Sequence, residues 1–106
     1  MSSNNGIYVL RTVRYIKRLT AVHWQSGDPY YVWRVAYAMA IDNFYWYKET
    51  EPNKLDAYMK DIWGKSPVFD KEEDALLYAH KEVKKYDPLE HGVSSIDTDL
   101  MFPDDA

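Results

Sequence analysis

The chain contains no cysteine. Disulfides, thiolate metal ligands and a cysteine nucleophile are therefore excluded together. Small secreted domains often depend on disulfides, so the lack of cysteine points to a reducing compartment and a cytoplasmic location. Glycine is scarce as well. Gly6, Gly27, Gly64 and Gly92 are the only four, and they form neither a phosphate-cradling loop nor a nucleophile elbow. The three histidines, His23, His80 and His91, share no metal-ligand spacing. No run of about 18 apolar residues occurs, so no membrane span is expected. Residues 1–6 have neither the basic nor the apolar region of a signal peptide. Position 2 is Ser2 and cysteine is missing from the C-terminus, so lipid-attachment motifs are lacking. Nothing here calls for a cofactor or a metal.

Aromatic residues are abundant. Ten Tyr, four Trp and three Phe stand among 106 residues, more rings than a small core readily hides. The length suits one domain spanning residues 1–106, with residues 1–6 and 103–106 read as flexible ends. Such a chain buries roughly 60–70% of its unfolded surface, enough for a core without staples. The net charge of −4 is uneven. Residues 1–36 carry Arg11, Arg14, Lys17, Arg18 and Arg34 against Asp28, a balance of +4, whereas residues 37–106 set eight lysines against sixteen carboxylates, a balance of −8. An asymmetry of this kind bears on partners rather than on fold.

The pattern predicts an α+β protein in which a small sheet, built from one or two N-terminal strands (7–24) and a C-terminal strand (93–102), is packed by three helices. Residues 7–24 are rich in β-branched side chains, although Val9, Val13, Ile16 and Thr20 also fall at helical spacing. They are read as one long bent strand or two short ones. Asp28 followed by Pro29 resembles a helix start, with an N-cap and a proline at the first helical position after the turn 25–28. The first helix is accordingly placed at 29–49, ringed by apolar residues, and stopped by Pro52. A second helix, 53–63, is expected to be capped by Asn53, to bury Leu55, Tyr58, Met59 and Ile62, and to end at Gly64. Asp70 and Glu73 have the spacing of a capping box for a third helix, 71–86, ended by Asp87–Pro88. Residues 66–69 read as loop or a very short extended segment. His91–Gly92 turns the chain into the last strand, and the two terminal strands are expected to pair.

Several residue groups are candidates for function. Eight aromatics lie between Tyr30 and Tyr47. Trp33, Tyr37 and Phe44 are expected in the core, leaving Tyr31, Tyr45 and Trp46, with Trp24, as a partner-binding surface of the kind Tyr and Trp dominate. Arg11, Arg14, Lys17 and Arg18, beside Tyr8, Tyr15 and Trp24, suit an anion or nucleic-acid backbone if they converge on one face. The acidic overall balance argues against that use. His80 and His91, with Glu82 or Glu90, could form an acid–base or metal site only if the fold brings them together. Asp97 and Asp99 share one side of a strand and could hold a divalent cation. With Asp104 and Asp105 following, a solvated acidic edge that resists strand pairing explains them better.

The expectation is a non-enzymatic interaction or regulatory domain that binds a protein partner or itself through exposed Tyr and Trp. The first alternative is a nucleic-acid-associated protein using the basic N-terminal segment. The second is a small enzyme with a His and carboxylate site.

Overall fold

The computed structural model describes residues 5–19, 24–39, 41–86 and 92–105, with backbone alone for 16–19 and 24–26. The elements run β1 (Gly6–Leu19), β2 (Trp24–Ala38), α1 (Asp42–Thr50), α2 (Pro52–Trp63), β3 (Val68–Phe69), α3 (Glu72–Val83) and β4 (Val93–Met101), followed by a 3-10 turn, Pro103–Asp105. The fold is α+β, a mixed four-stranded sheet in the order β3-β2-β1-β4 packed by three helices. β1 and β2 form a long antiparallel hairpin, and β4 lies parallel to β1.

One expectation is overturned. Residues 24–38 form a strand, so neither the turn at 25–28 nor a helix beginning at Asp28–Pro29 exists. The helix confined to Asp42–Thr50 is what remains of the one expected over 29–49. The reason is that β2 is covered on both faces. Ala38 packs with α1 and α2 and Arg34 is buried against Thr12, Phe102 and Asp105 on one face, while Val35 is buried under α3 on the other, with Trp33 and Tyr37 half-buried there. A strand buried on two sides shows no polar alternation, and its apolar run is indistinguishable from that of a buried helix by period alone. Its valines and aromatic rings then favour the strand.

Backbone directions follow from one hydrogen bond. The Ile7 N–H donates to the Gly92 carbonyl at 2.8 Å, so Ile7 faces β4, and the odd residues of β1 do likewise. Even residues of β1 therefore bond β2. Through the register Tyr8↔Ala36 and Leu10↔Arg34, the even residues of β2 aim their N–H and C=O inward and the odd ones aim outward. This explains Pro29 in a strand. It stands opposite Tyr15, and its missing N–H belongs to the outer edge, where nothing has to be bonded.

Two apolar layers sandwich the sheet. Tyr8, Leu10 and Ile96 pack with Phe44 of α1, with Leu55, Met59 and Trp63 of α2, and with Phe102. The i, i+4 repeat of α2 supplies its buried stripe, and the Trp63 indole N–H donates to the Tyr8 carbonyl at 3.3 Å. On the opposite face Ile7, Val9 and Val35 pack with Ala75 and Ala79 of α3. Small residues on α3 let that helix approach closely.

The helix ends hold further corrections. Pro52 does stop α1, but it does so as the first residue of α2, whose N-cap is Glu51; Asn53 is no cap. Lys71, in extended conformation, precedes α3, and no side chain caps that helix, so the capping box led by Asp70 does not form. Gly64 ends α2 as expected. Gly92 has φ +57°, the left-handed conformation that a turn into β4 needs and that glycine adopts without strain. Asp87–Pro88, expected to end the third helix, lies outside the described residues.

Asp105 is anchored. The Asp105 carboxylate accepts bonds from Arg34 Nη2 at 3.1 and 3.0 Å and from Arg14 Nη2 at 2.8 Å. Arg34 Nη1 donates to Thr12 Oγ1 at 2.9 Å, and its guanidinium stacks 3.9 Å over Phe102. Asp105 is thus a buried counter-ion rather than part of a solvated edge.

Candidate interaction surface

The hairpin is longer than the layers that cover it. Among the described residues, the cluster under α3 stops at Val9, Trp33 and Val35. Beyond these, on the same face, follow Arg11, Val13 and Tyr15 of β1, Tyr31 and Pro29 of β2, and Asp99 and Met101 of β4. Val13 pairs with Tyr31 and with Met101 across the two ladders. Val13 is buried beneath its neighbours, but Tyr15, Tyr31 and Met101 are exposed, at 39%, 41% and 36%. A shallow groove of about 240 Å³ opens between Tyr15, Tyr31 and Asp99, with Val13 at its floor.

A polar arrangement organises this surface. The Tyr31 hydroxyl donates to Asp99 Oδ1 at 2.9 Å. The Arg11 guanidinium lies 4.2 Å from the Tyr31 ring centre and 3.7 Å from Asp99 Oδ1, and its Nε donates to the Thr98 carbonyl at 3.4 Å. Thr98 returns a bond from its hydroxyl to the Arg11 carbonyl at 2.8 Å, at the register shift between β1 and β4. The bond to Asp99, reinforced by its negative charge, raises the Tyr31 pKa above that of an ordinary phenol. A tyrosine, an arginine and a carboxylate already oriented on a flat strand surface make an assembly suited to protein contact.

The partner-binding residues expected from sequence do not form one patch. Tyr45 and Trp46 are exposed on α1, at 48% and 53%, where their ring contacts are to Phe44 and Tyr47. Tyr31 meets Trp33, on the sheet face opposite to the one that α1 packs against. Trp24 lies in β2, and its side chain is outside the described residues. Of the three aromatics expected in the core, Phe44 is fully buried, while Trp33 and Tyr37 are only half-buried.

The two described members of the basic cluster do not converge. Arg11 serves the open face and Arg14 the opposite one, where it is tied to Asp105. Lys17 and Arg18 lie further along β1, with side chains outside the described residues. His80 is exposed on α3, while His23, His91 and Glu90 are not described. Among the described residues no group of three His, Asp or Glu side chains could hold a metal, and no helix is long and apolar enough to cross a membrane.

Sequence reasoning missed Arg11 with Asp99, Arg34 with Asp105, and Tyr15. A signal existed for the second pair, since a lone arginine inside an apolar run must find a buried partner. The fold defines an α+β protein carrying an open sheet end. Set against protein-family models, curated proteins and solved structures, the chain matches none of them.

Proposed function

We propose that this chain is a non-enzymatic interaction domain that self-associates through the open end of its sheet. The observation that carries the reading is the uncovered face where Tyr15, Tyr31 and Met101 stand exposed beside Arg11 and Asp99. The occupant is a second copy, for two reasons. Among the described residues, the hairpin beyond β3 and β4 has both outer edges unpaired, and a two-stranded ribbon alone is marginal in water. Residues 1–36, which include that ribbon, carry a balance of +4 and the remainder −8, so a ribbon laid against the acidic part of a second copy meets opposite charge in a two-fold arrangement. Tyr45 and Trp46 on α1 are a separate exposed surface in this reading. A cytoplasmic setting belongs to the proposal and rests on the lack of cysteine.

Light scattering and sedimentation across protein concentration test it. The mass should rise from 12.5 kDa toward twice that value, and Tyr15→Ala with Tyr31→Ala should weaken the association at least tenfold. A monomer at every concentration overturns it. A second reading, nucleic-acid binding, is favoured by the ribbon shape, which fits a major groove, with Lys17 and Arg18 far along β1. Binding to a DNA duplex that falls steeply with salt would favour this reading over self-association.

A further inference from the structure

The open face of the sheet is bounded by a step. α3 packs through Ala75 and Ala79 on Ile7, Val9 and Val35, and Tyr86, beyond its end, stacks on Tyr37 with ring centres 4.5 Å apart. The C-terminal end of α3 therefore lies at the Tyr37 end of β2. Its first turn lies at the opposite end. β3 runs antiparallel to β2, from Val68 opposite Arg34 to Phe69 opposite Trp33, and α3 starts soon after, at Glu72. That first turn is a wall about one helix diameter high, roughly 10 Å, at the level where Arg11 pairs with Trp33. Outward of the wall come Val13 with Tyr31, then Tyr15 with Pro29, and then the ribbon as far as Leu19 and Trp24.

The wall restricts how a second copy can lie on this face. Sheets packed face to face are about 10 Å apart, which is the thickness of the layer that α3 occupies. The sheet of the second copy would fill that layer, and its α3 would fall in the layer of the first sheet. With both ribbons pointing the same way, each α3 would collide with the sheet of the other copy. Only opposite directions, with each ribbon in line with the other copy's α3, leave room for both helices. The position of the two-fold axis follows. The wall stands at Arg11, β1 ends at Leu19, and Tyr15 is midway between them. An axis crossing the strands near Tyr15 and Pro29 sets the Leu19 end of one ribbon over the Arg11 level of the other copy. An axis nearer Val13 would drive the ribbon into α3, and one further out would leave Val13 and Tyr31 uncovered.

We propose that two copies pack open face to open face in opposite directions, about an axis near Tyr15 and Pro29, and that the ribbon of each ends against the first turn of α3 of the other. The arrangement presupposes the self-association proposed above. Charge agrees with it. The wall carries Asp70, Glu72, Glu73 and Asp74 against Lys71, all exposed. Acidic residues suit a helix start in any case. In this alignment they also receive the far end of the second copy's ribbon, where Lys17 and Arg18 stand opposite Ser26 and Gln25. Opposite charges at both ends of the interface set its register and orientation.

The chain has no cysteine, so a single introduced thiol reports on one position. Pro29→Cys, at the axis, should cross-link to its own counterpart through a bis-maleimide of about 10 Å, the spacing of face-packed sheets. Glu73→Cys should not, because the two helix starts lie about 25 Å apart along the strands. Lys17→Glu with Arg18→Glu, and separately Glu72→Lys with Glu73→Lys, should each weaken association at least tenfold in sedimentation, with circular dichroism checking that both variants fold. Mixing the two variants should restore a heterodimer of near wild-type affinity, since each ribbon then meets an oppositely charged helix start. A wild-type protein that stays monomeric removes the self-association and this geometry together. A wild-type dimer that cross-links at Glu73 rather than at Pro29, or whose variants gain nothing on mixing, leaves the self-association standing and overturns the geometry alone.

Discussion

Arg34 Nη2 lies 3.0 Å from Asp105 Oδ2, and both side chains are almost wholly enclosed, at 5% and 6% exposure. An arginine from the middle of β2 is thereby neutralised by a carboxylate from the last described residue. Removing one partner of such a pair leaves an uncompensated buried charge, which costs about 3–5 kcal/mol. Asp105→Ala is therefore expected to lower stability by about that amount, seen as a reduced urea midpoint with an unchanged slope. Asp104→Ala, which loses only an exposed contact at 3.3 Å to Lys60, should change little. Equal effects of the two substitutions would refute the assignment.

The same carboxylate sets a pH dependence. Burial pushes the Asp105 carboxyl up, but the bonds from Arg14 and Arg34 outweigh this and hold it below the usual carboxylate range. Its stabilising contribution is therefore complete above the unfolded value of about 3.9 and is lost as pH falls through the lower folded value. Denaturation midpoints measured from about pH 6 to about pH 2 should show wild type and Asp105→Asn converging at the acid end. A constant gap would mean that the charge contributes nothing.

How much of this was legible follows from burial. β4 and α2 carry their patterns openly: β4 alternates Ile96 and Thr98 inward with Asp97 and Asp99 outward, and α2 repeats Leu55, Met59, Trp63; β1, buried on both faces from Ile7 to Leu10, was legible as strand only through its β-branched residues. β2 hides its pattern because both of its faces are covered, and a proline after an aspartate imitates a helix start. Only pairing with β1 shows that Pro29 sits where no N–H is required. The candidate surface was legible only as a surplus of rings. Tyr31 was singled out correctly as exposed, but its bond to Asp99 spans 68 residues and leaves no local trace.

Tyr31 offers a spectroscopic check of that contact. Its hydroxyl donates to Asp99, and this bond stabilises the protonated phenol, so its pKa is raised. In Asp99→Asn the carboxylate charge is gone, and Tyr31 should deprotonate at lower pH than in wild type. Resolving one tyrosine among ten requires site-specific labelling of the ring for magnetic resonance. An unchanged or higher midpoint in the variant would contradict the arrangement of Tyr31 with Asp99.

The backbone alternation in β2 makes the most direct prediction about the fold. Val32, Arg34 and Ala36 direct their N–H groups to β1, and Trp33 directs its own to β3 opposite Phe69. Val35 directs its own toward the Pro67 carbonyl, next in the β3 register, and Tyr37 directs its own beyond that pairing. In the free protein, amide hydrogen exchange should therefore be slow at residues 32 to 36 and much faster at 37, Val35 being also among the most buried residues. A helix over 29–49 would protect Tyr37 as well as its neighbours, since each N–H there bonds the carbonyl four residues earlier. Ala36→Pro, which removes an inward ladder bond, should destabilise the protein more than Tyr37→Pro, which removes none. Uniform protection across 32–37, or the reverse order of the two proline variants, would show that the direction of β2 has been assigned one residue out of phase.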